Sequence, residues 1–494
     1  DLNPDEVIAT IDKYFGDMKP NENLPKLEFQ PEEPITEPVV SEVYGLEAAN
    51  VLMGWRLPGQ SSDPNDVAQI ASAIINNGQA GLIDLDLNQQ QKVLSAYGGF
   101  SGQPDYSSFI LGGSPKAGQS LEEVRDLLLG EVAKLRSGDF DEKLIQASVN
   151  NFKLYMMRAL EDNDSRADMY VQSFITGTDW ADEVAQIDRM TRITKQDVVD
   201  WANKYLGPES YAIVYKREGE DKSVQKIAAP KITPIVTNRD KQSDFLTEIQ
   251  NTPVKPIEPV FVDYQKEMSQ FDLREGIHVL YKKNEVNDIF ELQYVFNKGT
   301  ENDPALGLAF DYLSYLGTEA MTAEQIASEM YDIACSFKMY AGGNLSTITI
   351  SGLSENMPKA MQIVEGLIAG AEADEEILEN LKLDLIKSRS DAKLSQSQNF
   401  AALQRYLFYG KDYIRRTTLT NEQLQALGSE ELIASVQELL GKSHEIHYYG
   451  PMTETDTKKC LADYHKAADV LEPLEESHAQ MQRTDQSNVV LAQY

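Results

Sequence analysis

Histidine and cysteine are the residue types in this chain best suited to binding a metal or acting as nucleophiles. The sequence has two cysteines and five histidines, which are Cys335, Cys460, His278, His444, His447, His465 and His478. His444 and His447 have a spacing that suits a metal site on a helix, but the surrounding residues predict a strand. Residues three apart in a strand point to opposite faces, so we predict no metal site there.

The two cysteines are too few for a disulfide framework or a four-cysteine zinc module. Neither lies beside a histidine arranged for nucleophilic catalysis, and a lone cysteine on an apolar face is usually packed in a core. We therefore predict that Cys335 and Cys460 are inert thiols.

Two further patterns resemble ligand sites but lack essential residues. The acidic stretch 161–164 could imitate a calcium loop, yet the glycine and the distal glutamate of that motif are missing, so a solvated helix end is predicted. The pairs Gly98-Gly99 and Gly342-Gly343 do not follow the strand-to-helix pattern of a phosphate loop. They indicate hairpin or bulge glycines instead.

The composition excludes several classes of function. The chain has 494 residues and a net charge of −34, which repels nucleic-acid phosphates and anionic lipids. No apolar run approaches the roughly 18 residues that a membrane helix needs, so we predict neither nucleic-acid binding nor membrane insertion. The acidic charge fits either an ordinary solvated surface or a chamber that concentrates cationic peptides. No targeting signal is visible at the start of the sequence, and both a bacterial-type periplasm and the cytoplasm remain open.

Self-similarity is the most informative feature of the sequence. Two stretches, about 40–216 and about 270–452, run through the same order of elements. Each begins with strands and a helix, continues through a glycine-bounded hairpin and long helices, and ends with a capped helix before a last strand. Strands followed by helices predict an α+β fold, with two tandem repeats of an antiparallel sheet covered by helices.

The repeats also suggest how the chain is divided. The start of the chain, as far as Phe15, resembles the segment 451–465 after the last strand of the second repeat, and residues 488–494 resemble the opening strand at 50–55. We predict a remnant of a preceding unit and linker at 1–30, whole α+β units at 31–216 and 259–452, an extended linker at 217–258, and a connector with the opening strand of a following unit at 453–494.

Four motifs occur in an order and spacing that single out one family. They are Asp5–Gly16, Leu57-Pro-Gly59, Ile193–Asp197 with Tyr205-Leu206, and Asn297–Thr300 with Asp303. Over nearly its whole length the chain resembles the pitrilysin/insulinase-type (inverzincin) zinc metallopeptidases. In that family paired αβ units form half-shells around a peptide chamber.

The resemblance implies that this chain carries no zinc site. The family holds its zinc with H-x-x-E-H on the first helix of its first unit, and that motif does not occur in the sequence. In the second whole unit the matching positions are Phe310, Leu313 and Ser314, which are not zinc ligands. We expect no catalytic residue and no cofactor in this segment, with zinc in a first unit of the parent protein that lies outside it.

The resemblance also points to one substrate-binding residue. The family uses an arginine and a tyrosine seven residues apart to hold the substrate carbonyl and stabilise the oxyanion. Tyr97 matches the tyrosine, whereas the arginine position falls on Gln90, or near Asn88 if there is an insertion. Tyr97 is therefore a candidate for substrate binding, and simple packing at the start of a strand is the alternative.

These expectations lead to two hypotheses about function. The first is a substrate-enclosing, non-catalytic portion of a zinc-dependent metalloendopeptidase that degrades or processes peptides, in which the peptide pairs with a sheet edge. Its partners would be a peptide or unfolded polypeptide and the remaining units of the same protein. The second is a catalytically inactive binding or scaffold protein of the same fold. Under either hypothesis the segment alone cleaves no peptides.

Overall fold

The protein is described by a computed structural model that covers residues 3–25, 30–60, 65–225, 227–474, 481, 487 and 489–492. Within these ranges the chain forms two open, mixed β-sheets covered by helices. Each sheet has its own cluster of buried apolar side chains. No helix among the described residues is long and apolar enough to cross a membrane.

The first sheet contains five strands in the order β1-β5-β2-β4-β3. The strands are β1 (Val39–Gly45), β2 (Asn50–Pro58), β3 (Ser95–Ser101), β4 (Tyr106–Ser114) and β5 (Ala212–Glu218). The helices of this part are α1 (Pro4–Phe15), α2 (Asp66–Ile75), α3 (Leu121–Ser137), α4 (Lys143–Ala159), α5 (Asn163–Thr176), α6 (Trp180–Val184), α7 (Gln186–Met190) and α8 (Lys195–Tyr205), with a π-helix at Asp84–Gln89.

Two of these helices begin where their capping residues predict. The Ser120 hydroxyl accepts a hydrogen bond from the Glu123 amide at 3.2 Å, and the Glu123 carboxylate accepts from the Ser120 amide at 2.7 Å. Thr194 and Asp197 make the same reciprocal pair at the start of α8. Each pair satisfies amides that have no partner within the helix, which fixes the first turn.

The second sheet contains six strands in the order β6-β7-β11-β8-β10-β9. The strands are β6 (Ser269–Arg274), β7 (Ile277–Lys283), β8 (Ile289–Phe296), β9 (Cys335–Ala341), β10 (Ser346–Leu353) and β11 (His444–Gly450). The remaining helices are α9 (Asp244–Asn251), α10 (Tyr264–Glu267), α11 (Leu306–Leu313), α12 (Ala323–Asp332), α13 (Met357–Gly370), α14 (Glu375–Ala392), α15 (Gln396–Thr417), α16 (Asn421–Ala426), α17 (Ser429–Gln437) and α18 (Glu454–Tyr464), with 3-10 turns at Ser354–Asn356 and Glu438–Gly441.

The α+β fold class is confirmed, with one correction to the strand directions. The sheets are mixed rather than wholly antiparallel, because β5 pairs in parallel with β1, and β11 pairs in parallel with β7. In each sheet the last strand lies between two opening strands that run in opposite directions. A strand in that position must be parallel to one neighbour and antiparallel to the other.

Some predicted features lie at the limits of the described residues. Part of the predicted strand at 488–494 lies outside them, and the described residues 489–492 form no strand. Most of the described part of the stretch 217–258 forms no helix or strand, but it contains helix α9, which the sequence analysis missed. The division into units stays a prediction.

Side chains of α4 and α12 join the two parts of the chain. Tyr331 of α12 is buried in the cluster of the first sheet, where its hydroxyl lies 3.2 Å from that of Ser148. The Asn151 side chain donates to the Tyr331 carbonyl at 2.9 Å. An ion pair between Lys116 and Asp384, at 2.9 Å, crosses the same junction. These contacts hold the two sheets on either side of a shared cleft.

Candidate functional site

The cleft between the sheets has a volume of about 630 Å³ and is lined by an edge strand from each of them. Strand β3 contributes Ala96 and Tyr97, and strand β9 contributes residues 336–339. Residues of the π-helix, α11 and α12 complete the walls. The cleft therefore offers two strand edges and a mixed polar and apolar lining, which is the kind of surface that accommodates an extended chain.

The three positions that match the zinc motif lie on or beside helix α11. Phe310 and Leu313 are buried in the core of the second sheet, whereas Ser314 is exposed in the cleft. An apolar face packed against the sheet leaves no ligand atoms at the first two positions. Among the described residues, no group of three or more His, Cys, Asp or Glu side chains is arranged to hold a metal.

Tyr97 lies on β3 with its side chain half exposed in the cleft. Its ring covers Gly112 of the neighbouring strand so closely that a Cβ atom there would lie 2.5 Å from the ring carbon that bears the hydroxyl. Covering a strand glycine with an aromatic ring is a packing role. The structure thus places Tyr97 where it could touch a ligand, and its role in substrate binding stays a prediction.

The outer edge of β3 is already occupied by side chains of this protein. The Asn88 side chain accepts from the Ala96 amide at 2.9 Å and donates to the Ala96 carbonyl at 2.8 Å. The Gly98 amide donates to Asn76, and the Phe100 amide donates to the Ser72 hydroxyl at 3.0 Å. Asn88, near the position of the family's arginine, therefore caps a strand edge.

Two carboxylates give the cleft an acidic character. Asp84 accepts hydrogen bonds from the amides of Asn77, Gly78 and Gly81 at 2.8 to 3.0 Å, but its pKa is raised because burial outweighs those bonds. Asp311 is open to solvent in the cleft, and the surrounding protein still desolvates it enough to raise its pKa. With Lys338 as the cation of the lining, the cleft favours ligands with neutral or positive side chains.

The two histidines with metal-like spacing, His444 and His447, lie on opposite faces of a strand, as expected. His444 and His447 lie on β11, where His444 is buried and His447 is half exposed next to Glu445. His444 instead meets His465, with their Nε2 atoms 2.9 Å apart, and His465 Nδ1 lies 2.7 Å from Glu365. Sequence spacing gave no signal for this buried group, because its members come from three distant elements.

The two cysteines are buried and unbridged. Burial raises the pKa of Cys335 to about 12 and that of Cys460 to about 11. A thiol rather than a thiolate is thus present at neutral pH, which supports the prediction that both are inert.

Comparisons with known proteins agree with the resemblance found in the motifs. Residues 1–152 match a family model described as the Peptidase M16 inactive domain. The crystal structure of pitrilysin has a TM-score of 0.51 and 14% sequence identity, over 95% of this chain and 53% of that one. This likeness identifies the pitrilysin fold. No curated protein sequence matches the chain.

Two further solved structures match over more of the chain but less closely in shape. The periplasmic protease PqqL from Escherichia coli has 13% identity and a TM-score of 0.39, over 98% of this chain and 57% of that one. The ferredoxin protease FusC, solved as a mutant with Arabidopsis ferredoxin, has 12% identity and a TM-score of 0.46 over the same shares. The chain thus spans just over half the length of these proteins.

Proposed function

We propose that this chain, whose residues 1–152 match the Peptidase M16 inactive domain, forms a non-catalytic wall of a peptide chamber. The observation that carries the proposal is the cleft of about 630 Å³ between the two sheets. An extended stretch of peptide or unfolded polypeptide would lie in that cleft. The main chain of such a ligand is the same for every sequence, so selectivity would be broad.

The charge of the cleft supports a preference among peptides. Asp84 and Asp311 outnumber Lys338 in the lining, and the whole chain carries a net charge of −34. Clefts lined mainly by one sign of charge concentrate ligands of the opposite sign, and added salt weakens the effect. Basic peptides should therefore bind more tightly than acidic ones, with a difference that shrinks as salt is added.

In this proposal another unit of the parent protein supplies the catalytic zinc. The 494 residues contain no H-x-x-E-H, and the matching positions Phe310 and Leu313 are apolar and buried. A peptidase assay of this chain with added zinc should show no turnover. Turnover by the chain alone would overturn the assignment.

A fluorescent reporter in the cleft tests peptide binding directly. Lys338 is exposed on β9 in the cleft, and Lys393 is exposed on the chain following α14. Because both native cysteines are buried, Lys338→Cys and the control Lys393→Cys can each be labelled with a dye that responds to its surroundings. The probes are reduced, carboxymethylated α-lactalbumin, which is permanently unfolded, and native α-lactalbumin.

We expect a saturable change in fluorescence only at position 338, and only with the unfolded probe. No change at position 338, or an equal change at position 393, would contradict peptide binding in the cleft. The alternative, a binding or scaffold protein of the same fold, also predicts binding without turnover. The two are separated by whether H-x-x-E-H is encoded upstream of Asp1, since its presence favours the peptidase.

A further inference from the structure

The two strand edges that border the cleft differ in whether their main-chain groups are available. We propose that a peptide adds as a strand to β9, through the main-chain groups of Phe337 and Met339, and not to β3. This inference rests on the proposed function, because it names the place where the peptide of that proposal is held.

The hairpin between β9 and β10 fixes which residues of β9 point outward. The Gly342 amide donates to the Leu345 carbonyl at 2.8 Å, and the Leu353 amide donates to the Ala334 carbonyl at 3.3 Å. Successive residues of an antiparallel strand direct their main-chain groups alternately toward the partner and away from it. The even-numbered residues of β9 therefore face β10, and the odd-numbered residues face the open side.

Phe337 and Met339 are the outward residues at the centre of this edge. Beside them, the Cys335 carbonyl already accepts from the Gln79 side chain at 3.2 Å. No hydrogen bond from any other described residue reaches the amide or carbonyl of Phe337 or Met339. Both residues line the cleft. Two donors and two acceptors are therefore available there, in the alternating pattern that a peptide strand can match.

The outer edge of β3, in contrast, is already hydrogen-bonded to side chains of this protein. Its outward amides of Ala96, Gly98 and Phe100 all donate to side chains of α2, Asn76 and Asn88. A peptide could pair with β3 only by displacing those bonds, whereas on β9 it would satisfy main-chain groups that have no partner among the described residues. Main-chain groups at an unpaired edge readily recruit another strand.

The position of β9 also determines where the peptide side chains would point. The side chains of Phe337 and Met339 are partly buried and pack against the apolar core of the second sheet. Side chains opposite each other on paired strands lie on the same face. Every second peptide side chain would thus lie on the same face as Phe337 and Met339. These side chains would point into the cleft, toward the wall that contains Ser314 and Asp311. A lysine or arginine at such a position would meet the Asp311 carboxylate.

Proline substitution tests the edge while leaving the sheet intact. Proline is tolerated on an edge strand where its missing N–H would face outward, and that is the geometry of Met339. Met339→Pro removes one of the two free donors, and Met339→Ala is the matched control that shortens the side chain but keeps the amide. The probe is a fluorescein-labelled, end-capped peptide of about eight alternating threonine and lysine residues, long enough to span β9.

We expect Met339→Pro to bind this peptide roughly tenfold more weakly than Met339→Ala, as measured by fluorescence anisotropy. Equal affinity of the two variants would overturn the inference. Circular dichroism shows whether Met339→Pro is folded. If it is not, the wild-type chain gives the answer with two N-methylated forms of the same peptide.

The N-methyl groups are placed on alternate residues, so that each form blocks one edge of the peptide strand. A peptide added to β9 through one edge loses affinity in one form and keeps it in the other. Equal affinity of both forms for the wild-type chain would rule out strand addition. Binding that survives Met339→Pro and becomes tighter in Asn88→Ala, which uncaps the Ala96 amide and carbonyl, would place the peptide on β3, which contradicts the inference but not the proposed function. If the proposed function itself were wrong, the dye at position 338 would show no fluorescence change with any probe.

Discussion

The buried group formed by Glu365, His465 and His444 should contribute strongly to the stability of the second sheet. His444 Nδ1 lies 2.8 Å from the Lys442 carbonyl, which only accepts, so that nitrogen carries a proton. The other nitrogen of a neutral His444 must then accept from His465, whose Nδ1 lies 2.7 Å from Glu365. His465 thus donates from Nε2, and with its ring protonated at Nδ1 as well it forms a buried ion pair with Glu365.

This ion pair is enclosed almost completely. The side chains of His465 and Glu365 are 0% and 1% exposed, and the ring of Tyr294 lies 4.5 Å from that of His465. Glu365 also accepts from the Lys466 amide at 3.2 Å. Removing one partner of a buried ion pair leaves the other charge without compensation and typically costs about 3–5 kcal/mol. We expect Glu365→Gln to lower the free energy of unfolding of the second sheet by about that amount.

The positions of the three tryptophans make the assay specific for one part of the chain. Trp55, Trp180 and Trp201 all belong to the part that forms the first sheet. Urea unfolding followed by far-ultraviolet circular dichroism reports on both parts, whereas tryptophan fluorescence reports on the first. Glu365→Gln should move the circular dichroism transition to lower urea and move the fluorescence transition less.

The matched control is Glu319→Gln, which makes the same chemical change at an exposed glutamate. Surface substitutions of this kind usually change stability by no more than about 0.5 kcal/mol. If Glu365→Gln and Glu319→Gln unfold at the same urea concentration, the assignment of a buried ion pair is refuted.

Three further predictions concern pH, helix capping and thiol reactivity. Burial lowers the pKa of His444 to about 4 from its ordinary 6.5, so its contribution to stability is complete above pH 6.5. As the pH falls, the unfolded chain binds the proton first, so the free energy of unfolding should fall by about 3 kcal/mol between pH 6.5 and pH 4. Urea titrations across that range should show a smaller fall for His444→Phe. Ser120→Ala removes the cap of α3 and should cost about 1 kcal/mol of unfolding free energy, measured by urea titration against the exposed control Ser137→Ala. Because the pKa values of Cys335 and Cys460 are raised to about 12 and 11, iodoacetamide at about pH 8 should label neither until urea unfolds the chain, and rapid labelling of the native protein would contradict their assignment as inert.

The sequence predicted those elements whose signals are local. The alternation of Ile277–Lys283 predicts a strand, and β7 lies there, while helices α3 and α8 begin after the capping residues Ser120 and Thr194. A capping box needs only residues three apart, and the alternation of a strand is visible within its own length. Helix α9, by contrast, lies in a stretch rich in breakers and has no buried residue, so its short pattern was missed.

The sheet order and the site depend on contacts that no local pattern contains. The parallel pairing of β1 with β5 joins Val39 to Ala212, and the capping of β3 depends on how Asn88 and Ser72 approach it in space. Tyr97 is a candidate through the family resemblance, and its role stays a prediction. The difference between the two strand edges of the cleft became visible only when their hydrogen bonds were known.

The placement of each last strand has a consequence for synthesis on the ribosome. Strand β11 lies between β7 and β8, although the residues that form it come after β8 by the length of nearly the whole repeat. Until His444–Gly450 emerges from the ribosome, β7 and β8 have no strand between them. The edge of each that later pairs with β11 has unpaired main-chain groups. Pairings between residues so far apart in sequence form slowly, and unpaired edges can recruit other chains. A nascent chain that pauses between α13 and α17 would thus be exposed to misassembly. Chaperones that bind unpaired strands of nascent chains would be needed most at that stage.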